Sequence, residues 1–145
     1  MTTMFSSEFL ERYKNGQKEF DNIYLQFMDV SNISLKDIII KDSELFFTFF
    51  HNCDFSGSKF INSDILYTTF FGGTFHNIVF DNCTLDAIRF DKSSRFMNVK
   101  MTKSDISWSA ILGVPTSELD FINCALFKTV TDESQITNQL ISDFL

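Results

Sequence analysis

Apolar residues recur along this chain at every fifth position. The run starts at Phe20 and passes through Leu25, Val30, Leu35, Ile40, Leu45, Phe50, Phe55 and Phe60 to Phe90, fifteen consecutive hits. Neither the 3.6-residue period of a helix nor the strict alternation of a strand fits this spacing. The residue two before each centre is small or apolar, as at Ser43, Thr48, Cys53, Ser58, Cys83 and Ile88. Side chains two apart on an extended backbone point the same way. Each unit therefore reads in, out, in, out, out. Two successive outward positions mark a bend, so five residues make one short side and one corner. The pattern predicts an all-β solenoid wound around its own core.

The second residue after each centre sets the number of sides. Asn, Asp or Gly stands there at Asn22, Asn32, Asp37, Asp42, Asn52, Gly57, Asn62, Gly72, Asn77 and Asn82. These residues tolerate the positive φ of tight turns. The exceptions are Phe27, Phe47, Tyr67 and Ala87, spaced 20 residues apart. Four sides therefore make one coil. The bulky exceptions are expected to keep negative φ, because positive φ is costly for them. The rhythm slips by one residue near 91–95, in "DKSSRF", and resumes at Phe96, Met101, Ile106 and Ile111. It blurs again near 112–118, around Pro115, before a final partial coil at Phe121 and Leu126. At the β-ladder spacing of about 4.8 Å, about five coils predict a rod roughly 25 Å long.

This pattern resembles the pentapeptide-repeat family, whose units centre on Leu or Phe with a small residue two before and often Asp or Asn one before. "NCDFSGSKFINSDI", from Asn52 to Ile65, matches at Cys53, Asp54, Phe55, Ser58, Phe60, Ser63, Asp64 and Ile65. The resemblance covers residues 20–127 and implies a right-handed, four-sided β-helix. The Asp/Asn slot departs from the family pattern at Ile39, Phe49, Thr69, Val79 and Arg89. "FLERYKNGQKEF" is similar to the lead-in before the first repeat of many relatives.

Both ends of such a rod need covering, or unpaired backbone and core invite association. Residues 1–19 read as an N-terminal helical cap. Ser6 or Ser7 would cap a short helix, Phe9, Leu10 and Tyr13 would face the first coil, and Gly16 would stop it. Residues 128–145 read as a C-terminal helix starting near Thr131, with Ile136, Leu140 and Phe144 on one stripe. That helix is expected to close the rod. The alternative is a dimer contact, as the resemblance to fluoroquinolone-resistance relatives implies.

Composition narrows the function. The chain has 19 acidic and 12 basic residues, net −7, which argues against direct nucleic-acid binding. No stretch approaches a membrane span, and the N-terminus lacks the features of a signal peptide. Three cysteines without a CxxC pair suggest neither a disulfide framework nor a zinc site, so a cytoplasmic setting is expected. Cys53, Cys83 and Cys124 all fall in the inward slot. His51 and His76 point outward from different sides. No nucleophile, base and orienting group occur together, so no catalytic, metal or cofactor residues are assigned and the protein reads as non-enzymatic.

Two surface features remain. Residues 21–91 carry ten acids and four bases, whereas Lys92, Arg95, Lys100 and Lys103 stand against Asp105 alone in 92–105. The family resemblance implies one reading of that acidity, a DNA mimic that modulates a type II topoisomerase such as gyrase. The second feature is the exceptional side, with predicted outward residues Tyr24, Phe27, Glu44, Phe46, Phe47, Asp64, Leu66, Tyr67 and Trp108. An aromatic column flanked by carboxylates suits a protein contact, including a homodimer. Stacking of the rings on one another is the structural alternative. The leading reading is a rigid protein-interaction surface, partner unidentified, with the topoisomerase modulator as the alternative.

Overall fold

The structure, a computed structural model, describes residues 1–131. Of the predicted C-terminal segment, residues 128–131 continue the solenoid, with Val130–Thr131 a strand, and the remainder of the predicted helix lies outside the described residues. The chain winds into stacked coils whose sides form three parallel sheets, of six, seven and six strands. Side one is built on Phe20, Ile40, Phe60, Phe80, Met101 and Phe121, running from Glu19–Asp21 to Leu119–Ile122. Side two is built on Leu25, Leu45, Ile65, Leu85, Ile106 and Leu126, from Ile23–Gln26 to Ala125–Phe127. Side three carries Val30, Phe50, Phe70, Phe90 and Ile111, from Asp29–Ser31 to Val130–Thr131. Side four pairs more sparsely, through the bridges Ser34 to Asp54 and Asp54 to Thr74. The long strand Thr74–Asp81 then turns the corner from side four to side one against Arg95–Thr102.

Neighbouring coils are 20 residues apart, as in Ile40 beside Phe60. The step widens to 21 where Phe75 meets Phe96 and Phe90 meets Ile111. The extra residue sits in the turn at 91–94, where the Asp91 carboxylate accepts from the Ser93 amide at 3.0 Å. Met101 beside Phe121 restores the step of 20.

Six repeat strands stack on side two rather than the expected five coils, and Thr2–Met4 adds a seventh below them. The stack is therefore roughly 30 Å tall. Phe5 leaves that added strand still extended, φ −90° and ψ 163°, and stands at the head of the helix Ser6–Lys14 without a side-chain cap. Ser6 and Ser7 are thus inside the helix, not its cap. Phe9 is buried with its ring 4.7 Å from Phe20, and the Tyr13 hydroxyl donates to the Lys36 carbonyl at 2.9 Å.

The core follows from the five-residue pattern. The centres from Phe20 to Phe90 are all buried. On side three Phe50, Phe70 and Phe90 stack, with centroids 5.4 and 4.8 Å apart. On side four Phe55, Phe75 and Phe96 do the same at 5.8 and 5.2 Å. The columns meet edge-on, as at Phe70 and Phe75. Side two instead places leucine and isoleucine inside. Three ring-bearing sides already fill the bore, and interiors are packed too closely for a fourth aromatic column.

The small inward slot has a polar task. The Ser58 hydroxyl accepts from the Ile38 amide at 3.1 Å and donates to the Leu35 carbonyl at 3.0 Å. Ser43 serves Ile23 and Lys41 in the same way. Buried backbone groups that the short sides leave over at each bend thereby find partners.

The corners contradict the expected division. Phe27, Phe47, Tyr67, Ala87 and Trp108 all have positive φ, between 50° and 53°, like Asn22, Asn32 and Asn52. One turn is used on all four sides. The cause is the backbone ladder: corner amides donate to carbonyls of the next coil, Asn32 to His51 and Phe47 to Leu66 alike, while the Asn98 amide donates to the Glu118 carboxylate. A corner with another φ would send the next side off in a direction that breaks this register. Left-handed backbone costs an L residue roughly 1–2 kcal/mol, and the ladder imposes it on bulky residues as well. The inference of four sides nevertheless holds, because the 20-residue register requires it.

Candidate interaction face

Outward positions on side two form three columns. The residue before each centre gives Tyr24, Glu44, Asp64, Thr84, Asp105 and Ala125. The residue after gives Gln26, Phe46, Leu66, Asp86, Ser107 and Phe127. The corner column gives Phe27, Phe47, Tyr67, Ala87, Trp108 and Lys128. All nine residues singled out in the sequence therefore lie on side two or its edge, but the structure divides them.

Phe27, Phe46, Phe47 and Tyr67 form one continuous aromatic cluster. Phe47 and Tyr67 are nearly parallel, 5.1 Å apart at 8°, and Phe27 continues the stack at 5.9 Å. Phe46 meets Phe47 edge-on at 4.9 Å and Tyr67 at 5.8 Å. Positive φ at each of these corners sets successive rings over one another at the ladder spacing. Trp108 is separated from them by Ala87. Its partner is Phe127, 5.6 Å away and edge-on, with the Lys128 ammonium 5.9 Å from the Phe127 ring. Phe127 and Asp86 were missed by sequence reasoning. Each follows an inward centre as Phe46 follows Leu45, and that spacing was the signal available.

Stacking does not hide the rings. Phe27 is 69% exposed, Tyr67 47% and Trp108 64%. The apolar surface continues around the corner onto side three, where Phe49 and Phe71 are exposed and His51 lies 5.5 Å from the Phe71 ring. Beside the rings, Glu44 and Asp64 are register partners. Among the described residues no ion pair reaches either carboxylate; the ion pairs join Arg12 to Glu8, Lys36 to Asp54 and Lys41 to Glu19. Like charges stacked in a ladder are mildly destabilising.

Elsewhere the chemistry is sparse. A shallow depression of about 440 Å³ on side one is lined by Lys59, Ile61, Val79, Asp81, Thr102, Lys103, Ile122 and Asn123. Its Asp81 carboxylate already accepts from the Thr102 hydroxyl at 2.7 Å. The three cysteines are free and buried. Burial pushes the Cys83 thiol up to about 11 and raises Cys53 and Cys124 as well. Protonated, enclosed thiols are poor nucleophiles. Among the described residues no cluster of His, Cys, Asp and Glu is arranged to hold a metal ion. No helix among them is long and apolar enough to cross a membrane.

No family model matches the sequence, and no curated protein does. Solved structures do match the fold. QnrB1, a plasmid-mediated fluoroquinolone resistance protein, superposes with a TM-score of 0.58 at 11% identity over 77% of this chain. This chain spans 61% of the QnrB1 chain. Rfr23, a pentapeptide repeat protein from the cyanobacterium Cyanothece 51142, gives 0.55 at 13% identity, over 85% of this chain and 97% of its own. Two pentapeptide-repeat structures thus share the coil geometry at identities that speak for fold alone. The five-residue period, the 20-residue register and these likenesses together identify the architecture of the chain as the pentapeptide-repeat β-helix.

Proposed function

We propose that this protein is a non-catalytic binding module that engages a protein partner through side two and its aromatic corner. The observation that carries the reading is the Phe27–Phe47–Tyr67 stack, held in left-handed backbone and still open to solvent. Exposed apolar patches of this kind usually serve contacts, and aromatic anchors dominate the energy of interfaces. The solenoid holds the rings without a hinge, so little ordering is needed on binding. A reducing, cytoplasmic setting suits three buried free thiols.

Capture from a lysate of the source organism tests the reading, with Phe47→Ser/Tyr67→Ser compared against Phe49→Ser/Phe71→Ser on side three. Partners retained by wild type and by the side-three variant, but lost by the side-two variant, are expected. A captured set unchanged by Phe47→Ser/Tyr67→Ser would refute it.

The second reading is a DNA mimic acting on a type II topoisomerase. The unpaired Glu44–Asp64 column favours it, and QnrB1, a fluoroquinolone resistance protein, has the same fold. Charge density weighs against it. Residues 21–91 carry a net −6 over roughly 17 Å of rod, about one charge per 3 Å, against one per about 1.7 Å in duplex DNA. The basic segment 92–105 then interrupts the acidic surface. A gyrase supercoiling assay showing no inhibition, protection or binding at micromolar protein would dispose of this reading.

A further inference from the structure

We infer that the partner surface read by side two is cationic, and specifically an arginine-bearing segment. This rests on the binding-face reading above and adds its chemistry. Phe46 and Leu66, half-buried register partners, form an apolar plate in the middle of the side. Glu44 and Asp64 line one edge of the plate, Asp86 stands directly above Leu66, and the ring column Phe47–Tyr67 forms the opposite edge. On a rung the carboxylate and the plate residue are two residues apart, about 7 Å, as Glu44 and Phe46 are, and the ring follows the plate residue directly at the corner. A guanidinium lying on the plate meets a ring on one side and a carboxylate on the other.

Arginine fits this arrangement better than lysine, because its planar fork stacks on aromatic faces and grips carboxylates bidentately. It would also neutralise the stacked charges of Glu44 and Asp64, which no cation of the described chain reaches. The cations that do edge side two, Lys103 and Lys128, stand at its upper corners beyond Ala87.

A second copy of this chain is the competing occupant, and two observations disfavour it. Side two is roughly 30 Å tall and 10 Å wide, so a face-to-face pair buries about 600 Å² in total, half of what a stable dimer needs. Pairing two copies antiparallel also sets one column of Glu44, Asp64 and Asp105 against another of the same sign.

The test uses a labelled hexa-arginine peptide, titrated by fluorescence anisotropy at about 50 mM salt, where exposed charge pairs are least screened. Glu44→Gln/Asp64→Asn should weaken binding at least tenfold. Asp21→Asn/Asp29→Asn, which removes the same charge from sides one and three, should weaken it less than threefold. Phe46→Ala should also weaken it, and hexa-lysine should bind more weakly than hexa-arginine. Circular dichroism checks that each variant keeps its β-sheet signal. Equal losses for the two charge-matched pairs would mean attraction to net charge alone and overturn the proposal. So would an absence of binding, or a wild type that sediments as a dimer which Glu44→Gln/Asp64→Asn strengthens. None of these outcomes touches the capture experiment with Phe47→Ser/Tyr67→Ser, which tests the underlying face by itself.

Discussion

Phe47 and Ala87 occupy the same corner column, two coils apart, with φ of 52° and 53°. One substitution, to glycine, should therefore move stability in opposite directions at the two sites. Glycine relieves left-handed backbone worth roughly 1–2 kcal/mol in an L residue. It also frees the unfolded chain, which costs about 0.4–1 kcal/mol. At Ala87 no ring intervenes, so Ala87→Gly should stabilise by about 0.5 kcal/mol. At Phe47 the same relief is set against loss of the ring. Phe47 is 39% exposed, so roughly 100 Å² of its apolar surface is covered, worth about 2.5 kcal/mol. Its contacts with Phe27, Phe46 and Tyr67 add about 1 kcal/mol more. Phe47→Gly should then destabilise by about 2–3 kcal/mol net. Urea unfolding followed by β-sheet circular dichroism reads both shifts as midpoint changes at constant slope. If Phe47→Gly stabilises as Ala87→Gly does, the rings do not offset the corner strain and the column has no structural reason to be aromatic.

Further outcomes follow from the core, the face and the thiols. Phe60, fully buried and stacked on Phe80 at 4.9 Å, should lose about 3–5 kcal/mol on Phe60→Ala, and a change below about 1 kcal/mol in thermal or urea unfolding would remove it from the packed centre. Glu44→Gln or Asp64→Asn should raise stability by about 0.2–1 kcal/mol, since each relieves a like-charge register pair, with the gain shrinking in salt; a loss would show the column to be paired. Cys83 binds its proton more tightly when folded, about 11 against the ordinary 9.0, so the unfolded chain is the one that releases it between those values. Stability is unaffected by this group below pH 9 and falls between about pH 9 and 11. Denaturation midpoints against pH in wild type and Cys83→Ser check this, and parallel curves would contradict it.

Most of the architecture could be read from the chain because each centre repeats the same burial task every five residues. The slip at 91–95 was visible for the same reason: Phe96 and Met101 are out of phase with Phe90. The corner conformation was not legible. Asn and Gly report which residues tolerate positive φ, whereas the ladder determines which residues must adopt it, and Phe47 shows the second outweighing the first. The N-terminal strand was hidden because Thr2–Met4 has no periodic partner nearby; it pairs with Ile23–Leu25, some 20 residues on. On the candidate face, the recurrence of Phe27, Phe47 and Tyr67 led to their cluster. The same spacing placed Trp108 in the corner column, where Ala87, which supplies no ring, separates it from the stack.

A coil in this protein is bonded to the coil above and the coil below, 20 or 21 residues away. That arrangement has a mechanical meaning. Pulled by its ends, such a rod has no long-range tie to shear, and it peels from an end as rope leaves a spool. Each released coil frees 20 residues, roughly 65–70 Å of extended chain. The next coil is then presented to the load in the same orientation. The force record would be a staircase with treads of nearly equal length, one of them longer by the single residue that widens the step to 21.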